Sequence, residues 1–244
     1  MTVRREQGSI PTTGTTADVA FALPTGTPPT AGWPGVVVLH ELFGLQQEIL
    51  DVGDRFAERG WAAVMPDYFS AGSRAGCLVK AVREARAGRP GPVTNGLVAA
   101  TRALSDRPDV DADRLAVIGF CHGGGFALVI GTAGVDGLKA VAANYGDVPR
   151  ELTGSPPVVA SYGGRDRIFG PNAAALRKRL DACSVANDVK VYPQAGHSFM
   201  TDGSHPLTSR LTAVAMHSGY VADAADDAWS RVFDWLETYV PAAE

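Results

Sequence analysis

Short apolar runs alternate with stretches of helical periodicity along almost the whole chain of 244 residues. The runs 36–39 and 115–119 contain β-branched residues and no charge, which is typical of strands buried on both faces. Between such runs, apolar residues recur every three or four positions, as in the set Leu45, Ile49, Val52 and Phe56. This alternation predicts a single α/β domain over residues 1–244, with a mostly parallel, doubly wound sheet covered by helices on both faces.

Two parts of the chain carry a weaker pattern. At the N-terminus we expect only one early strand, near residues 17–23. In the charged segment 67–92 the apolar residues predict a short helix over 78–87.

Because ligands of parallel sheets bind beyond the carboxyl ends of the strands, we expect the functional residues in the loops that follow strands.

Composition argues against several classes of protein. The net charge is −4 and no long basic run occurs, which argues against nucleic acid or an anionic membrane as partner. The chain contains no apolar stretch of about 18 residues, the length that spans a bilayer. The first residues lack the apolar core of a secretory signal. The odd number of cysteines favours a reducing cytoplasm, and their spacing fits no zinc site. We expect Cys77 and Cys183 to be buried, inert thiols.

The strongest local motif is G-F-C-H-G at residues 119–123, where a predicted strand meets a predicted helix. It fits the pattern glycine-x-nucleophile-x-glycine, with Cys121 as the nucleophile on a tight strand-to-helix turn. The helix N-terminus adds positive potential and free N–H groups, which favour a thiolate and an oxyanion. The alternative is that Cys121 is a small buried residue between packing glycines, but the strand–turn–helix context favours the nucleophile.

An acid and a histidine are expected to follow the nucleophile in chain order. Asp166 lies in a loop after one predicted strand and His197 in the loop after the next, so both belong to the sheet edge of Cys121. His197 would take the thiol proton, and Asp166 would fix its tautomer. Taken singly, Asp166 could be a turn former and His197 a surface histidine, but their order favours function. The weaker histidine candidates are His40, His122, His205 and His217.

Several motifs together resemble the dienelactone hydrolase family over roughly residues 36–239. The resemblance rests on VVVLHELFGL, GWAAVMPDYF, VIGFCHGGG, GGRDRIF, AGHSF and GYVADAA. It implies an α/β hydrolase fold and a catalytic triad of Cys121, Asp166 and His197. The cysteine is the discriminating element, because most related hydrolases use serine.

The same resemblance implies three further site groups. Glu41, in the run HELFG, corresponds to a family glutamate that reaches the resting cysteine and helps to deprotonate it when substrate binds. The family's oxyanion hole is built from backbone N–H groups, which here would belong to Leu42 and His122. A thiol that stays neutral until substrate arrives resists oxidation.

One departure from the family pattern concerns the substrate. Members carry an arginine in an HSFAR-like run that pairs with the carboxylate of a dienelactone, whereas this chain has Thr201 at that position. Arg210, Arg83 or Arg86 are candidate replacements, and Phe199 is a further candidate substrate contact. The substrate is therefore not restricted to a dienelactone.

These observations predict a hydrolase of a small activated ester or lactone that forms a thioester on Cys121 without a metal or organic cofactor. We expect segments 67–92 and 201–218 to border the pocket and set specificity. The main alternative is a non-catalytic member that binds a small ligand, and a cysteine peptidase is less favoured. The expected partner is the small-molecule ester or lactone alone, with neither nucleic acid nor membrane, and the expected state is a cytoplasmic monomer or small homo-oligomer.

Overall fold

A computed structural model describes residues 1–12, 15–201 and 213–241, apart from the side chains of Arg86, Ala213 and Val214. The strands are β1 (Val3–Thr12), β2 (Thr15–Pro24), β3 (Trp33–Leu39), β4 (Ala62–Asp67), β5 (Val110–Phe120), β6 (Leu138–Asn144), β7 (Val158–Gly163) and β8 (Asn187–Tyr192). The helices are α1 (Gln47–Ala57), α2 (Arg74–Ala87), α3 (Pro92–Ser105), α4 (His122–Gly131), α5 (Asn172–Ala182), α6 (Ala213–Met216) and α7 (Ala222–Tyr239).

The strands form one sheet in the order β1-β2-β4-β3-β5-β6-β7-β8. From β4 to β8 neighbouring strands are parallel, whereas β2 is antiparallel to both β1 and β4. Strand β3 and helix α4 are buried along their whole length, because elements pack on both sides of the sheet centre. The predicted single α/β domain with a mostly parallel sheet is confirmed.

The helices pack in groups around this sheet. Helices α1 and α7 meet through aromatic rings, with Phe56 5.2 Å from Phe233 and 6.3 Å from Trp229 between ring centroids. Helices α2, α3 and α4 contact one another as a second group. Within the described ranges, no helix is both long enough and apolar enough to cross a membrane.

The strand order reverses between β3 and β5, because the chain leaves β3 for β4 and later returns past β3. Loops that leave neighbouring strands in opposite directions open a crevice at the carboxyl edge of the sheet. Glu41 and Leu42 follow β3 and Cys121 follows β5, so they stand at this reversal. Asp166 and His197 follow β7 and β8 at the same edge.

The N-terminus contains two strands where we predicted one. Strand β2 includes the predicted run 17–23, and β1 pairs with it in antiparallel register along its whole length. Only Ile10 of β1 is buried, because an edge strand packs little against the core. Its sequence therefore lacks the alternation of apolar and polar residues that reveals a strand.

Segment 67–92 contains a longer helix than predicted. Helix α2 begins at Arg74 because the side chain of Ser73 caps its first turn, and it ends at Ala87, after which Gly88 has a left-handed φ of 60°. The buried carboxylate of Glu84 accepts a hydrogen bond of 2.9 Å from the N–H of Val93 and so caps α3. These capping contacts extend the helical structure beyond the short apolar pattern.

Candidate active site

Cys121 lies at the turn between β5 and α4 in a backbone conformation that residues with side chains rarely adopt. Its φ is 54° and its ψ is −117°, and such a conformation costs about 1–3 kcal/mol and persists only where the surroundings enforce it. The residue is buried and its thiol is free. The strained turn holds the cysteine at a strand end and a helix N-terminus, as a nucleophile elbow requires.

Two glycines make this turn sterically feasible. A Cβ on Gly119 would overlap the carbonyl group of Gly123, and a Cβ on Gly123 would overlap the carbonyl group of Leu39. Both obstacles are backbone atoms, which cannot move aside as the end of a flexible side chain could. The two glycines of the motif are therefore required by the close approach of β3, β5 and α4.

His197 and Asp166 form a buried pair beyond β8 and β7. Nδ1 of His197 lies 2.6 Å from Oδ2 of Asp166, and Oδ1 accepts hydrogen bonds from the N–H groups of Ile168 and Phe169 at 2.9 and 3.0 Å. Burial raises the pKa of Asp166, but hydrogen bonds from His197 and the backbone outweigh burial and lower it. The fixed carboxylate keeps a proton on Nδ1 and leaves Nε2 for other chemistry.

The other side of the His197 ring interacts with Cys121. Nε2 is buried and makes no fully formed hydrogen bond within the described residues. Burial lowers the pKa of His197, but the charge interaction with Cys121 and hydrogen bonds to Asp166 and Cys121 raise it to about 10. A contact that is not fully aligned is common between a base and its nucleophile before substrate binds. The structure thus brings together the three residues predicted as a triad.

The two backbone N–H groups predicted for an oxyanion hole belong to the loop after β3 and to the first residue of α4. Neither the N–H of Leu42 nor that of His122 donates a hydrogen bond to another described residue. The His122 side chain is buried, and burial followed by the charge of nearby His40 lowers its pKa to about 4. Because the His122 imidazole is neutral, the group of this residue that can bind an anion is its backbone N–H.

The Glu41 carboxylate is held by the segment that follows His197. Oε2 accepts a 3.0 Å hydrogen bond from the Ser198 hydroxyl, and Oε1 accepts one of 3.3 Å from the Thr201 hydroxyl. Burial raises the pKa of Glu41, and the charge of His197 opposes this only in part. Among the described residues the hydrogen bonds to the Glu41 carboxylate come from Ser198 and Thr201, and the role of Glu41 toward Cys121 stays a prediction.

Comparison with known proteins decides the family. Residues 21–240 match the model of the dienelactone hydrolase family. The chain belongs to this family. A Yersinia pestis protein named "Putative carboxymethylenebutenolidase" is 29% identical over 233 residues, which cover 85% of this chain and 79% of that protein. The Rhodococcus opacus carboxymethylenebutenolidase is 26% identical over 225 residues, which cover 84% and 81%.

The fold of this dienelactone hydrolase family member also matches solved structures. The dienelactone hydrolase-like promiscuous phosphotriesterase P91, from metagenomic libraries, aligns with a TM-score of 0.77 and 24% identity. The alignment covers 96% of this chain and 98% of P91. The family and the names of the relatives support a hydrolase that acts on a lactone or ester.

The predicted substrate-binding residues have different positions in this family member. Arg83 is an exposed residue of α2. Arg86 also belongs to α2, but its side chain lies outside the described part of the structure, as does the whole of Arg210. Phe199 is fully buried and packs against Tyr145 and Tyr192, with ring centroids 5.7 and 5.0 Å apart, so it offers no surface to a substrate in this conformation.

Segment 67–92 lines a cavity, but the residues around that cavity include none of the triad. Cys77 and Lys80 of α2 border it together with Tyr68 and residues of β1, β2 and α3. Of the other cysteines, Cys77 is buried as predicted, whereas Cys183 is only half-buried. Across the described ranges no three His, Cys, Asp or Glu side chains are grouped closely enough to hold a metal ion.

Sequence reasoning missed several residues around the triad. Ser198 and Thr201 hold Glu41, although Thr201 was singled out only as a departure from the family pattern. Tyr145 follows β6 with a φ of 41°, and its buried ring lies 5.1 Å from the ring of His197. Burial and the charge of Glu41 raise the pKa of Tyr145 far above its usual range, so its hydroxyl remains a proton donor. Its position after a buried strand was the only signal in the sequence.

Proposed function

We propose that this protein hydrolyses a small activated ester or lactone through a covalent thioester on Cys121. The observation that carries the proposal is the strained elbow at Cys121 together with a buried His197–Asp166 pair whose free imidazole nitrogen interacts with that residue. Such a combination of nucleophile, base and orienting acid serves nucleophilic catalysis on unrelated folds. Membership of the dienelactone hydrolase family supports the same reaction class.

In the acylation step, the sulfur of Cys121 attacks the substrate carbonyl while the proton of its thiol is held on Nε2 of His197. The oxyanion that develops accepts hydrogen bonds from the N–H groups of Leu42 and His122, each worth about 100-fold or more in rate. The tetrahedral intermediate then collapses, the bond to the leaving oxygen breaks, and His197 donates its proton to that oxygen. An ester thus gives the acyl-enzyme and a free alcohol, whereas a lactone gives an acyl-enzyme that keeps the new hydroxyl group on its acyl chain.

Deacylation reverses the roles with water as the nucleophile. Nε2 of His197 accepts a proton from water as the water oxygen attacks the thioester carbonyl. The C–S bond breaks, the carboxylic acid leaves, and the proton returns to Cys121. Asp166 remains ionised throughout, since it stabilises the imidazolium by charge and by the 2.6 Å hydrogen bond to Nδ1.

We further propose that the enzyme prefers neutral esters and lactones over those with a free carboxylate. Thr201 stands where a family arginine is expected, is buried, and donates its hydroxyl to Glu41. A hydroxyl in this role carries no charge with which to pair a substrate anion. The ratio of kcat/KM for one lactone as its free acid and as its methyl ester tests this preference. A marked preference for the acid would contradict it and would direct attention to Arg83 or Arg210.

Intact-mass spectrometry after brief exposure to p-nitrophenyl acetate tests the nucleophile. We expect one acetyl adduct on the wild type and on Cys77→Ala, which removes another buried cysteine as a matched control. We expect no adduct on Cys121→Ala. On Cys121→Ser we expect the adduct to form more slowly and to last longer, because an oxygen ester is hydrolysed more slowly than a thioester.

Two outcomes would favour the alternatives. An intact wild type that takes no acetyl group but binds a lactone, detected by a raised melting temperature, would favour the non-catalytic ligand-binding protein. Cleavage of a fluorogenic peptide panel that depends on Cys121 would favour the peptidase. The cytoplasmic location and the monomer or small oligomer expected from the sequence stay predictions.

A further inference from the structure

The loop after β3 contains a buried imidazole that the mechanism above does not use. His40 is fully buried, and its Nδ1 lies 2.6 Å from the carbonyl oxygen of Glu41. A carbonyl oxygen only accepts hydrogen bonds, so Nδ1 must carry the proton in this contact. His40 therefore donates a short hydrogen bond to the peptide group that joins Glu41 to Leu42.

That peptide group also contains the N–H of Leu42, one of the two proposed oxyanion donors. The described residues contain no cis peptide bond, and in a trans peptide the carbonyl and the N–H point in opposite directions. A donor fixed on the carbonyl of Glu41 thus fixes the direction of the Leu42 N–H. It also polarises the peptide, because hydrogen bonds in a chain strengthen one another.

Three aromatic and polar contacts hold the His40 ring in place. The ring stacks on Tyr68 with centroids 3.7 Å apart and an interplanar angle of 8°, and the edge of Phe69 lies against it at 4.9 Å. Nε2 lies 3.4 Å from Oδ1 of Asp67. The Tyr68 hydroxyl donates a 2.5 Å hydrogen bond to the carbonyl oxygen of His40 itself. Both the ring and the backbone of His40 are therefore anchored to the segment after β4.

We propose that His40 is a positioning residue of the oxyanion hole, which aims and polarises the Leu42 N–H through the carbonyl of Glu41 while the rings of Tyr68 and Phe69 hold the imidazole in place. This inference rests on the proposed function, because it needs an oxyanion to form during attack by Cys121. His40 does not touch the reacting atoms, since its two nitrogens face Glu41 and Asp67. A histidine that merely fills the core would support the fold without favouring one reaction of the thiol over another.

Two reactions of the same thiol separate these roles. Acetylation by p-nitrophenyl acetate passes through an oxyanion, whereas alkylation by iodoacetamide is a direct displacement at carbon that forms none. Both need the thiol and the imidazole of His197. The ratio of the two rate constants therefore reports the oxyanion hole apart from the nucleophile.

His40→Asn and His40→Leu are a matched pair, because their side chains have the same shape and both lose the ring stack on Tyr68. Asparagine retains an N–H donor near the place of Nδ1, and leucine does not. For His40→Leu we expect acetylation to slow by about 10- to 100-fold, the size of effect of a weakened oxyanion donor. We expect alkylation to change by less than about threefold, and His40→Asn to recover most of the acetylation rate. In steady-state turnover the loss is expected in kcat rather than in KM.

The outcomes distinguish this inference from the proposed function. Equal acetylation rates for the two variants, or a parallel fall of acetylation and alkylation, would overturn the role of His40 while the acyl-enzyme of the wild type stands. Failure of the wild type to form an acyl-enzyme would overturn both. If His40→Leu does not fold by circular dichroism, His40→Phe, which keeps a ring on Tyr68 and has no donor, takes its place in the same comparison.

Discussion

Two buried histidines each face an aspartate at the carboxyl edge of one sheet, and they differ in what the second imidazole nitrogen faces. In the pair beyond β7 and β8, His197 lies 2.6 Å from Asp166 and its other nitrogen interacts with Cys121. In the pair beyond β3 and β4, His40 lies 3.4 Å from Asp67 and its other nitrogen meets the carbonyl of Glu41. The same two residue types thus stand in a reactive setting and in a supporting one.

The comparison teaches that a histidine's role follows from the partner of its free nitrogen rather than from its carboxylate. A thiol can exchange a proton with imidazole, so the contact of His197 can move a proton. A peptide carbonyl neither gives up nor keeps a proton under ordinary conditions. The contact of His40 can therefore only orient and polarise the peptide group between Glu41 and Leu42. Burial is nearly complete for both rings and does not tell them apart.

The largest expected effect comes from Asp166→Asn. An amide at this position favours the wrong tautomer of His197, so we expect kcat to fall by about 10³- to 10⁴-fold in ester turnover. Retained folding, checked by the melting curve, excludes loss of structure as the cause. A loss below tenfold would mean that Asp166 does not orient the base.

Asp67→Asn is the matched change in the second pair, and we expect a loss of about tenfold or less in kcat. Asparagine can still accept the hydrogen bond that the N–H of Phe69 now donates to Oδ1 of Asp67, so the loop keeps its shape. Only the charge that faces Nε2 of His40 disappears. The test is to measure kcat of Asp67→Asn and of Asp166→Asn under the same conditions. Equal losses of kcat in the two variants would contradict the distinction between the pairs.

The pH dependence of stability is the third test. The pKa of His197 is raised from 6.5 to about 10 in the folded protein, so its stabilising contribution is complete below pH 6.5 and is lost as the pH rises through 10. We expect the melting temperature of the wild type relative to His197→Asn to decline between pH 6.5 and 10. Urea denaturation at the same pH values provides an independent check.

His122 provides the opposite sign as a control. Its pKa is lowered to about 4, so the folded protein binds a proton less readily than the unfolded chain, and stability is lost as the pH falls below 6.5. The melting temperature relative to His122→Asn is therefore expected to rise between pH 4 and 6.5. The same slope for both histidines would contradict the opposite environments of the two rings.

The smallest expected effect comes from Thr201→Val, which removes one donor to Glu41. We expect about 1 kcal/mol of lost stability and a two- to fivefold change in kcat/KM, with recovery in Thr201→Ser. Thr101→Val is a suitable control, because the buried Thr101 hydroxyl donates a comparable hydrogen bond to Leu97 inside α3. It is expected to lose stability without a change in activity. Equal kinetics for both valine variants would remove Thr201 from the site.

The predicted site and the structure agree where a motif spans few residues. The turn at Cys121 is predicted from residues 119–123 alone, although the backbone that requires Gly123 belongs to Leu39 on β3. Asp166 and His197 were predicted because each lies in the loop after a parallel strand, and parallel topology brings such loops to one edge. The family resemblance supplied the role proposed for Glu41 but not the contacts that hold it.

The structure differed from prediction where a contact leaves no periodic pattern in the sequence. Strand β1 escaped notice because it packs little against the core, and the start of α2 depends on a single cap at Ser73. His40 precedes the nucleophile in the chain, which argues against it as the base of a triad but says nothing of other roles. The hydrogen bonds from Ser198 and Thr201 to Glu41 join residues 157 and 160 positions apart.

By itself, the sequence determined the alternation of strands and helices, the sharp turn at Cys121 and the edge of the sheet to which Asp166 and His197 belong. These features depend on residue periodicity and on steric limits of the backbone, which act over a few neighbouring positions. Only the tertiary structure decided that His197 faces the cysteine, that His40 faces a peptide carbonyl, and that Glu41 is held by two hydroxyl groups. Such choices depend on which distant atoms come within about 3 Å of each other, and no local pattern encodes that distance.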